Sequence, residues 1–408
     1  MPKCACGKAH ESATEKIAAE KNIAPALFEY IRQNFGNNAR GKIICDENTY
    51  AAAKDIMAFG EPVVLKIKSF HADEYMLDDC ECALEGKKSD YFIAAGGGTV
   101  HDITRIAAYK RNVPFISFPT APSVDGFVSG ISPITTKNGM KYTIQASAPI
   151  ALFADTGILA AAPKRLAASG IGDIVGKYIA LADWKISHLL TGEYICERII
   201  GLEYGAIEKL IASIDGNYGD FCANLLSALV LSGLCMQYTG NSRPASGAEH
   251  HISHFFEMGV ILSTDCLHGE NVGLGSILCA ELYRRFADSE DIRFTENYEI
   301  DEASVKKYYK SLYGEIIKEN SPQTLKKITP ENFYGSMAKI KTIIAEIPRV
   351  EEFVKLLGAF GGVTDLCGLR AYGLKCKKSE IKELTLKLAP YIRDRVTLLK
   401  IMRLIEFN

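Results

Sequence analysis

No Cys-x-x-C pair occurs in this sequence, although twelve cysteines are scattered along it. Without paired spacing, thiols in a chain this long read as reduced, which excludes a disulfide framework and leads us to expect a cytoplasmic protein. An excess of one charge is also missing. Basic residues number 47 and acidic ones 49, a net of −2, so there is no global pull toward nucleic acid or an anionic membrane. No stretch approaches the ~20 apolar residues that span a bilayer. The longest apolar run, Leu225 to Met236, is interrupted by Ser227, Ser232 and Gly233. The opening MPKCACGKAH carries no apolar signal core, so secretion is not expected. Internal repeats and low-complexity segments are absent too.

What is present suits two domains: 408 residues, of which 48% are hydrophobic and 24% charged, enough apolar content to exclude pervasive disorder. Up to about residue 160, β-rich runs alternate with helix-prone ones. Lys42 to Asp46, Pro62 to Ile67, Tyr91 to Ala95, Pro114 to Phe118 and Ile150 to Asp155 read as strands, with helices over Tyr50 to Phe59 and Val100 to Lys110. That alternation predicts parallel strands with right-handed crossovers. One hairpin interrupts it, Ile131 to Lys137 and Met140 to Ala146 about Asn138-Gly139.

Beyond residue 160 helical periodicity takes over, in Leu159 to Ser169, Ile174 to Leu190, Tyr194 to Ile214, Phe221 to Tyr238, His250 to Met258, Lys306 to Lys318 and Glu351 to Leu357. A charged helix is expected over Ser379 to Glu406, capped by Ser379 and broken at Pro390. The acidic stretch Ala287 to Glu302 reads as a solvent-facing loop, and no second sheet is expected. The predicted architecture is therefore α/β, with a Rossmann-like parallel-sheet domain over 1–160 and an all-helical domain over 161–408.

Gly96-Gly97-Gly98-Thr99 ends a strand and opens a helix, where free N–H groups can cradle a pyrophosphate. It is not a G-x-G-x-x-G fingerprint, and a tight turn alone would also account for it. Asp102 falls in the first turn of that helix, where it could simply offset the helix dipole. Asp46 closes the first confident strand; an acid there can hold the ribose hydroxyls of an adenosine, or merely form a turn. Thr120-Ala121-Pro122-Ser123-Val124-Asp125-Gly126 follows another strand end and has the hydroxyls and carboxylate of a ligand loop.

Four of the eight histidines lie between residues 250 and 268. His250 and His254 are four apart and share a helix face; two such imidazoles with a distant third donor are a common metal site. Glu249 precedes the first histidine, so the zinc-protease pattern H-E-x-x-H is not present. On spacing alone, Asp173 and Glu270 remain equal candidates for the acidic ligand. Arg243 lies near the cluster and is a candidate phosphate partner. Cys4, Cys6 and His10 could form part of another metal site, although a frayed terminus carrying thiols is the plainer reading.

Taken in order, Gly96-Gly97-Gly98-Thr99 with Asp102, Thr120 to Gly126, Gly172-Asp173, Ser242 to His254 and His268-Gly269 resemble the sn-glycerol-1-phosphate dehydrogenases, in their bacterial AraM-like branch. That branch sits in the superfamily of iron-containing alcohol dehydrogenases, glycerol dehydrogenases and dehydroquinate synthases. The resemblance runs from Asp46 to the middle of the helical half. It implies a dehydroquinate synthase-like fold, NAD(P)H, one divalent metal and dihydroxyacetone phosphate as substrate, with sn-glycerol 1-phosphate as product.

By the same resemblance Asp173, His250 and His268 are metal ligands, with Asp173 also at the substrate. His254 and Asp125 contact substrate. Gly97, Gly98, Thr120, Ser123 and Ser129 contact the nucleotide, and Asp46 is the ribose acid. The wider superfamily has Lys where this chain has Arg105, and a further histidine ligand, so zinc or nickel is expected rather than iron. A homodimer is also implied. The alternatives are a glycerol dehydrogenase acting on unphosphorylated polyol and a dehydroquinate synthase-like lyase, the latter disfavoured by Asp173 in place of Glu.

Overall fold

The structure is a computed structural model that describes residues 4–67, 69–321 and 323–407. The chain forms two compact units. The first comprises 1–137, 141–174 and 205–241, the second 138–140, 175–204 and 242–408. The grammar of the sequence changes near residue 160, yet two later helical segments belong with the sheet.

The first unit is built on strands β1 (Lys16–Glu20), β2 (Gly41–Asp46), β3 (Glu61–Leu65), β4 (Tyr91–Gly96), β5 (Phe115–Pro119) and β8 (Ala151–Asp155), with the hairpin β6 (Ile131–Thr135) and β7 (Lys141–Gln145) outside the sheet. The six strands are all parallel, in the order β1-β8-β5-β4-β2-β3. The expected α/β architecture is thus confirmed. β2 and β4 have apolar residues on both faces because both faces are covered. Ile44, Phe92 and Ala94 pack with Met76, Leu77 and Ile103 from helices α3 (Glu74–Leu84) and α4 (Gly98–Arg111). Ile43, Cys45, Ile93 and Phe118 pack on the other side with Leu27 and Ile31 of α1 (Ala24–Phe35).

From β2 the chain passes outward to β3, then returns to β4 on the other side of β2. That reversal opens a crevice at the carboxyl ends of β2 and β4, where open α/β sheets bind ligands. Asp46 ends β2, and Gly96 ends β4. Ile44 pairs with Ala94, so two residues on, Asp46 and Gly96 fall side by side.

Several local expectations change. β1 was not anticipated: KIAAE has a charge at each end and lies at the sheet edge, largely exposed, so no apolar run marks it. Tyr50 to Phe59 is not one helix but a short α2 (Glu47–Ala52) followed by a 3-10 turn at Lys54–Phe59. The hairpin pairs Thr135 with Lys141, so its loop is five residues rather than two. Helices α5 (Thr156–Ala161) and α6 (Lys164–Val175) follow β8. After α7 (Lys177–Thr191), in the second unit, α8 (Glu197–Ala212) leads back to α9 (Tyr218–Thr239) in the first. α9 is long and apolar enough by length and composition to cross a membrane, and 61% of its most apolar stretch is buried. A core helix apolar all round meets the same criterion.

The second unit is mainly helical: α7, α10 (Ala248–Glu257), α11 (His268–Asp288), α12 (Glu302–Tyr309), α13 (Tyr313–Glu319), α14 (Pro330–Ala345), α15 (Val350–Gly358), α16 (Ile381–Leu388) and α17 (Leu398–Ile401). It is not strand-free. β9 (Ser263–Thr264) pairs with β11 (Ala371–Tyr372), and β10 (Ile292–Phe294) with β12 (Ile405–Phe407). The stretch expected as an acidic loop therefore contains the end of α11 and a paired strand. Ser379 is not a cap; it lies inside a short 3-10 turn, and Glu380 precedes α16. Pro390 does break the helix, within a 3-10 turn at Ala389–Tyr391.

Candidate active site

The β4–α4 turn is shaped by close approach. Gly97 stands at the N-cap with no side chain to cap the helix, so the first-turn N–H groups of α4 are left for an anion. A Cβ on Gly98 would lie 3.0 Å from Val124, and one on Gly96 would lie 2.7 Å from Val100. His101 holds the turn from within. Its Nδ1–H donates to the Gly97 carbonyl at 2.9 Å, and its Nε2 accepts from the Ser117 hydroxyl at 2.8 Å. Burial pushes this imidazole down to about 3, so it stays neutral. Thr99 donates to the Phe70 carbonyl at 2.7 Å.

Asp102 lies beyond the first turn, not in it. Its Oδ1 accepts from Arg105 at 2.6 Å and from Ser132 at 2.9 Å. Burial raises the Asp102 carboxyl and lowers the Arg105 guanidinium from their ordinary values, with mutual attraction opposing both shifts. Arg105 also donates to the Gly126 carbonyl. Arg105 thus ties helix α4 to the 120–129 loop.

That loop is clamped from several sides within the first unit. Thr120 N–H donates to the Gly96 carbonyl at 3.2 Å. Ser169 of α6 donates to the Ser123 carbonyl at 3.2 Å. The Asp125 N–H donates to Asp173 Oδ2 at 2.9 Å, and Ser232 of α9 donates to Asp125 Oδ2 at 3.2 Å. Two glycines permit this contact. A Cβ on Gly170 would run into the Pro122 carbonyl oxygen, and one on Gly233 would lie 2.7 Å from the Asp125 carbonyl oxygen. Ala121 and Ser123 are buried, and Ser129 donates to the Ile131 carbonyl at 3.1 Å. The backbone of Asp125 and the carboxylate of Asp173, 48 residues apart in sequence, are thereby joined.

Asp46 is the N-cap of α2. Its Oδ1 accepts from the Asn48 and Thr49 amides at 2.8 and 2.9 Å, and Thr49 reciprocates as a capping box. The turn-forming role is therefore observed, at the crevice end of β2.

In the second unit, α10 and α11 meet through Gly275, whose Cβ would lie 2.6 Å from the Glu249 carbonyl oxygen. This contact gathers His250 and His254 of α10 with His268, the first residue of α11. Ring centroids are 5.1 Å apart for His250 and His268, 6.1 Å for His250 and His254, and 5.9 Å for His254 and His268. His250 Nδ1 lies 2.7 Å from Glu249 Oε1, and His268 Nδ1 lies 2.7 Å from Glu257 Oε1. With Nδ1–H donating to a carboxylate, each ring offers Nε2 as its lone pair, the way metal-ligating histidines are held. The donor chemistry therefore fits a divalent metal ion.

Sequence reasoning places neither glutamate behind an imidazole: Glu249 is weighed only against the H-E-x-x-H pattern, and Glu257 is not singled out. Glu257 follows His250 by seven and His254 by three, the same helical face, which is a signal that could have been read. Glu249 is buried, and burial pushes its carboxyl up to about 7. Glu270, the rival acidic ligand, caps α11 by accepting from the Leu267 amide at 2.8 Å. Arg243 is engaged with Glu193 (2.7 Å from Nε), Ser187 (3.0 Å) and the Val396 carbonyl (2.9 Å), which uses its guanidinium for packing rather than offering it to a phosphate.

Residues 18–163 match the family model described as iron-containing alcohol dehydrogenase. A glycerol-1-phosphate dehydrogenase [NAD(P)+] of Halalkalibacterium halodurans is 33% identical over 97% of this chain and 94% of its own length. One from Geobacillus thermodenitrificans is 47% identical over 68% of this chain and 71% of its own. Among solved structures, sulfoacetaldehyde reductase from Bifidobacterium kashiwanohense in complex with NAD+ superposes with a TM-score of 0.59 at 17% identity, covering 94% and 93% of the two chains. A probable glycerol dehydrogenase from Sinorhizobium meliloti gives 0.53 at 15%, covering 93% and 97%. These two show a shared fold. The Halalkalibacterium halodurans relative, similar over nearly the full length of both chains, shows that this chain belongs to the glycerol-1-phosphate dehydrogenase family.

Proposed function

We propose that the protein catalyses the reversible NAD(P)H-linked reduction of dihydroxyacetone phosphate to sn-glycerol 1-phosphate. The observation that supports this most is the pair His250 and His268, each backed by a glutamate, in a chain whose relatives bear that activity in their names. In this reading Asp173, His250 and His268 hold one divalent ion, zinc or nickel. Such an ion would supply Lewis-acid polarisation of the C2 carbonyl, and the nicotinamide would supply the hydride.

The chain's own residues then have separate tasks. Glu249 and Glu257 orient the two imidazoles. Asp125, held by its backbone to Asp173 and by Ser232, positions a substrate hydroxyl. His254 delivers a proton to the C2 oxygen, directly or through water. Gly96, Gly97, Gly98 and Thr99 hold the pyrophosphate at the N-terminus of α4. Thr120, Ala121, Pro122, Ser123 and Ser129 line the nucleotide, with Asp102 acting through Arg105. Asp46 uses its carboxylate on the ribose, favouring NADH by repelling a 2′-phosphate. A homodimer in the cytoplasm completes the proposal; twelve cysteines outside any disulfide suit a reducing compartment.

The deciding experiment follows oxidation of NADH and NADPH by metal-loaded protein with dihydroxyacetone phosphate and, in parallel, dihydroxyacetone. A strong preference for the phosphate, lost on chelation, and sn-glycerol 1-phosphate as the chiral product are expected. Preference for dihydroxyacetone would make the protein a glycerol dehydrogenase instead. Silence on both would point to a lyase of the dehydroquinate synthase type.

A further inference from the structure

Segment 4–14 of the first unit carries donors that the reaction above does not use. Cys4, Cys6 and His10 place their two Sγ atoms and a ring nitrogen within 4.8 Å of one another. The Cys6 Sγ and His10 Nε2 are 3.4 Å apart. Backbone bonds shape the loop that brings the thiols round. The Gly7 amide donates to the Cys4 carbonyl at 2.9 Å, the Cys4 amide donates to the Lys8 carbonyl at 3.3 Å, and Gly7 takes φ of 84°. A positive φ at that turn is one that glycine adopts without strain.

His10 is not a frayed-end residue. It is buried, and its Nδ1 lies 3.0 Å from the Tyr238 carbonyl oxygen near the end of α9. With Nδ1–H donating to that carbonyl, the tautomer is set and Nε2 faces the sulfurs, as in structural metal sites. The rest of the segment is fastened to the same helix end. Gln237 accepts from the Ala13 amide at 2.8 Å and from the Ser12 hydroxyl at 3.0 Å, and donates to Thr14 at 3.0 Å. The Gln237 side-chain amide also donates to the Val128 carbonyl at 2.5 Å, within the clamped loop.

We propose that Cys4, Cys6 and His10 form a second metal site, separate from the histidine cluster, that holds a borderline-soft divalent cation such as zinc and pins segment 4–14 to the C-terminal end of α9. Thiolates and imidazoles are the donors zinc takes in closed structural sites, and two thiolates with one imidazole leave a fourth position for a further donor. On binding, each thiol releases its proton to solvent and donates a sulfur lone pair; no oxidant is needed. The function is mechanical. α9 carries Ser232 and Gly233, which pack on Asp125, and Gln237, which holds Val128. A fixed helix end keeps that loop in place.

The test uses full-length protein reconstituted with Co(II) or Zn(II). His268→Ala, which empties the proposed catalytic site, and Cys4→Ser/Cys6→Ser are compared with wild type. A thiolate-to-cobalt charge-transfer band in the near ultraviolet is expected in wild type and in His268→Ala, since a site of one carboxylate and two imidazoles gives none. The double serine variant is expected to lose that band, to bind one ion fewer per chain, and to melt several degrees lower. Should that variant fail to fold, X-ray absorption of zinc-loaded His268→Ala decides, with a sulfur shell of two or more atoms near ~2.3 Å expected. Absence of the thiolate band and of the sulfur shell, or a band unchanged in the double serine variant, would overturn the proposal. Because His268→Ala reports the second site alone, this outcome is independent of whether the reductase reading holds.

Discussion

Single side chains divide the candidate site into groups that hold a ligand and groups that hold those groups. His268→Ala should abolish turnover and lower bound metal, and wild-type stoichiometry with normal activity would remove it from the ligand set. Glu257→Gln is the finer probe. It keeps the shape but weakens the acceptor for His268 Nδ1, and losing such a partner costs about 10- to 100-fold in metal affinity. A metal titration showing unchanged affinity would make Glu257 a bystander. Asp46 needs two substitutions because it also caps α2. Asp46→Ala should cost about 1 kcal/mol of stability together with nucleotide affinity, whereas Asp46→Asn preserves the cap and should weaken the coenzyme alone. An unchanged coenzyme KM in both would end the ribose assignment.

Helices and loops explain why those side chains meet. Asp125 reaches Asp173 because Gly170 and Gly233 let α6 and α9 lie against the backbone of the 120–129 loop. Gly170→Ala should therefore displace the loop, lowering stability by about 1–3 kcal/mol and kcat with it. Normal activity alongside a normal melting temperature would show that the contact is slack. His101 makes the glycine turn sensitive to acid. The folded imidazole stays neutral down to about 3, while an unfolded one protonates below ~6.5, so the unfolded chain binds the extra proton between those values. Stability should be flat in this respect above pH ~6.5 and fall by up to ~1.4 kcal/mol per unit as pH drops toward 3. His101→Gln should flatten that limb in acid-denaturation curves, and an unchanged slope would assign it to other groups.

At the scale of the molecule, ligand binding and folding are linked. A metal bound by folded but not unfolded chain at a hundred times its Kd adds about 2.7 kcal/mol, so chelation should lower the melting temperature measurably, and nucleotide should raise it. Identical melting curves with and without chelator would argue against any tightly held ion.

The sheet was legible in sequence wherever burial on both faces left a continuous apolar run, as in Ile43 to Cys45 and Tyr91 to Ala95. Lys16 to Glu20 was not, because an edge strand needs no such run. The histidine cluster was legible from its density and its spacing of four. α11 was not, because Gly269, Gly273 and Gly275 argue locally against a helix. Packing overrides that preference where Gly275 must meet the Glu249 backbone. By itself the sequence determined the alternating grammar of the first 160 residues, the strand-end positions of Asp46 and Gly96, and the density of histidines between residues 250 and 268. Only the tertiary structure decided which carboxylates stand behind which imidazoles, that Arg243 is used internally, and that Asp125 meets Asp173. The Arg243–Glu193 and Asp125–Asp173 contacts join residues 50 and 48 positions apart, and Glu257 reaches His268 from one helix to the next, so these contacts are set by how helices pack rather than by a local pattern.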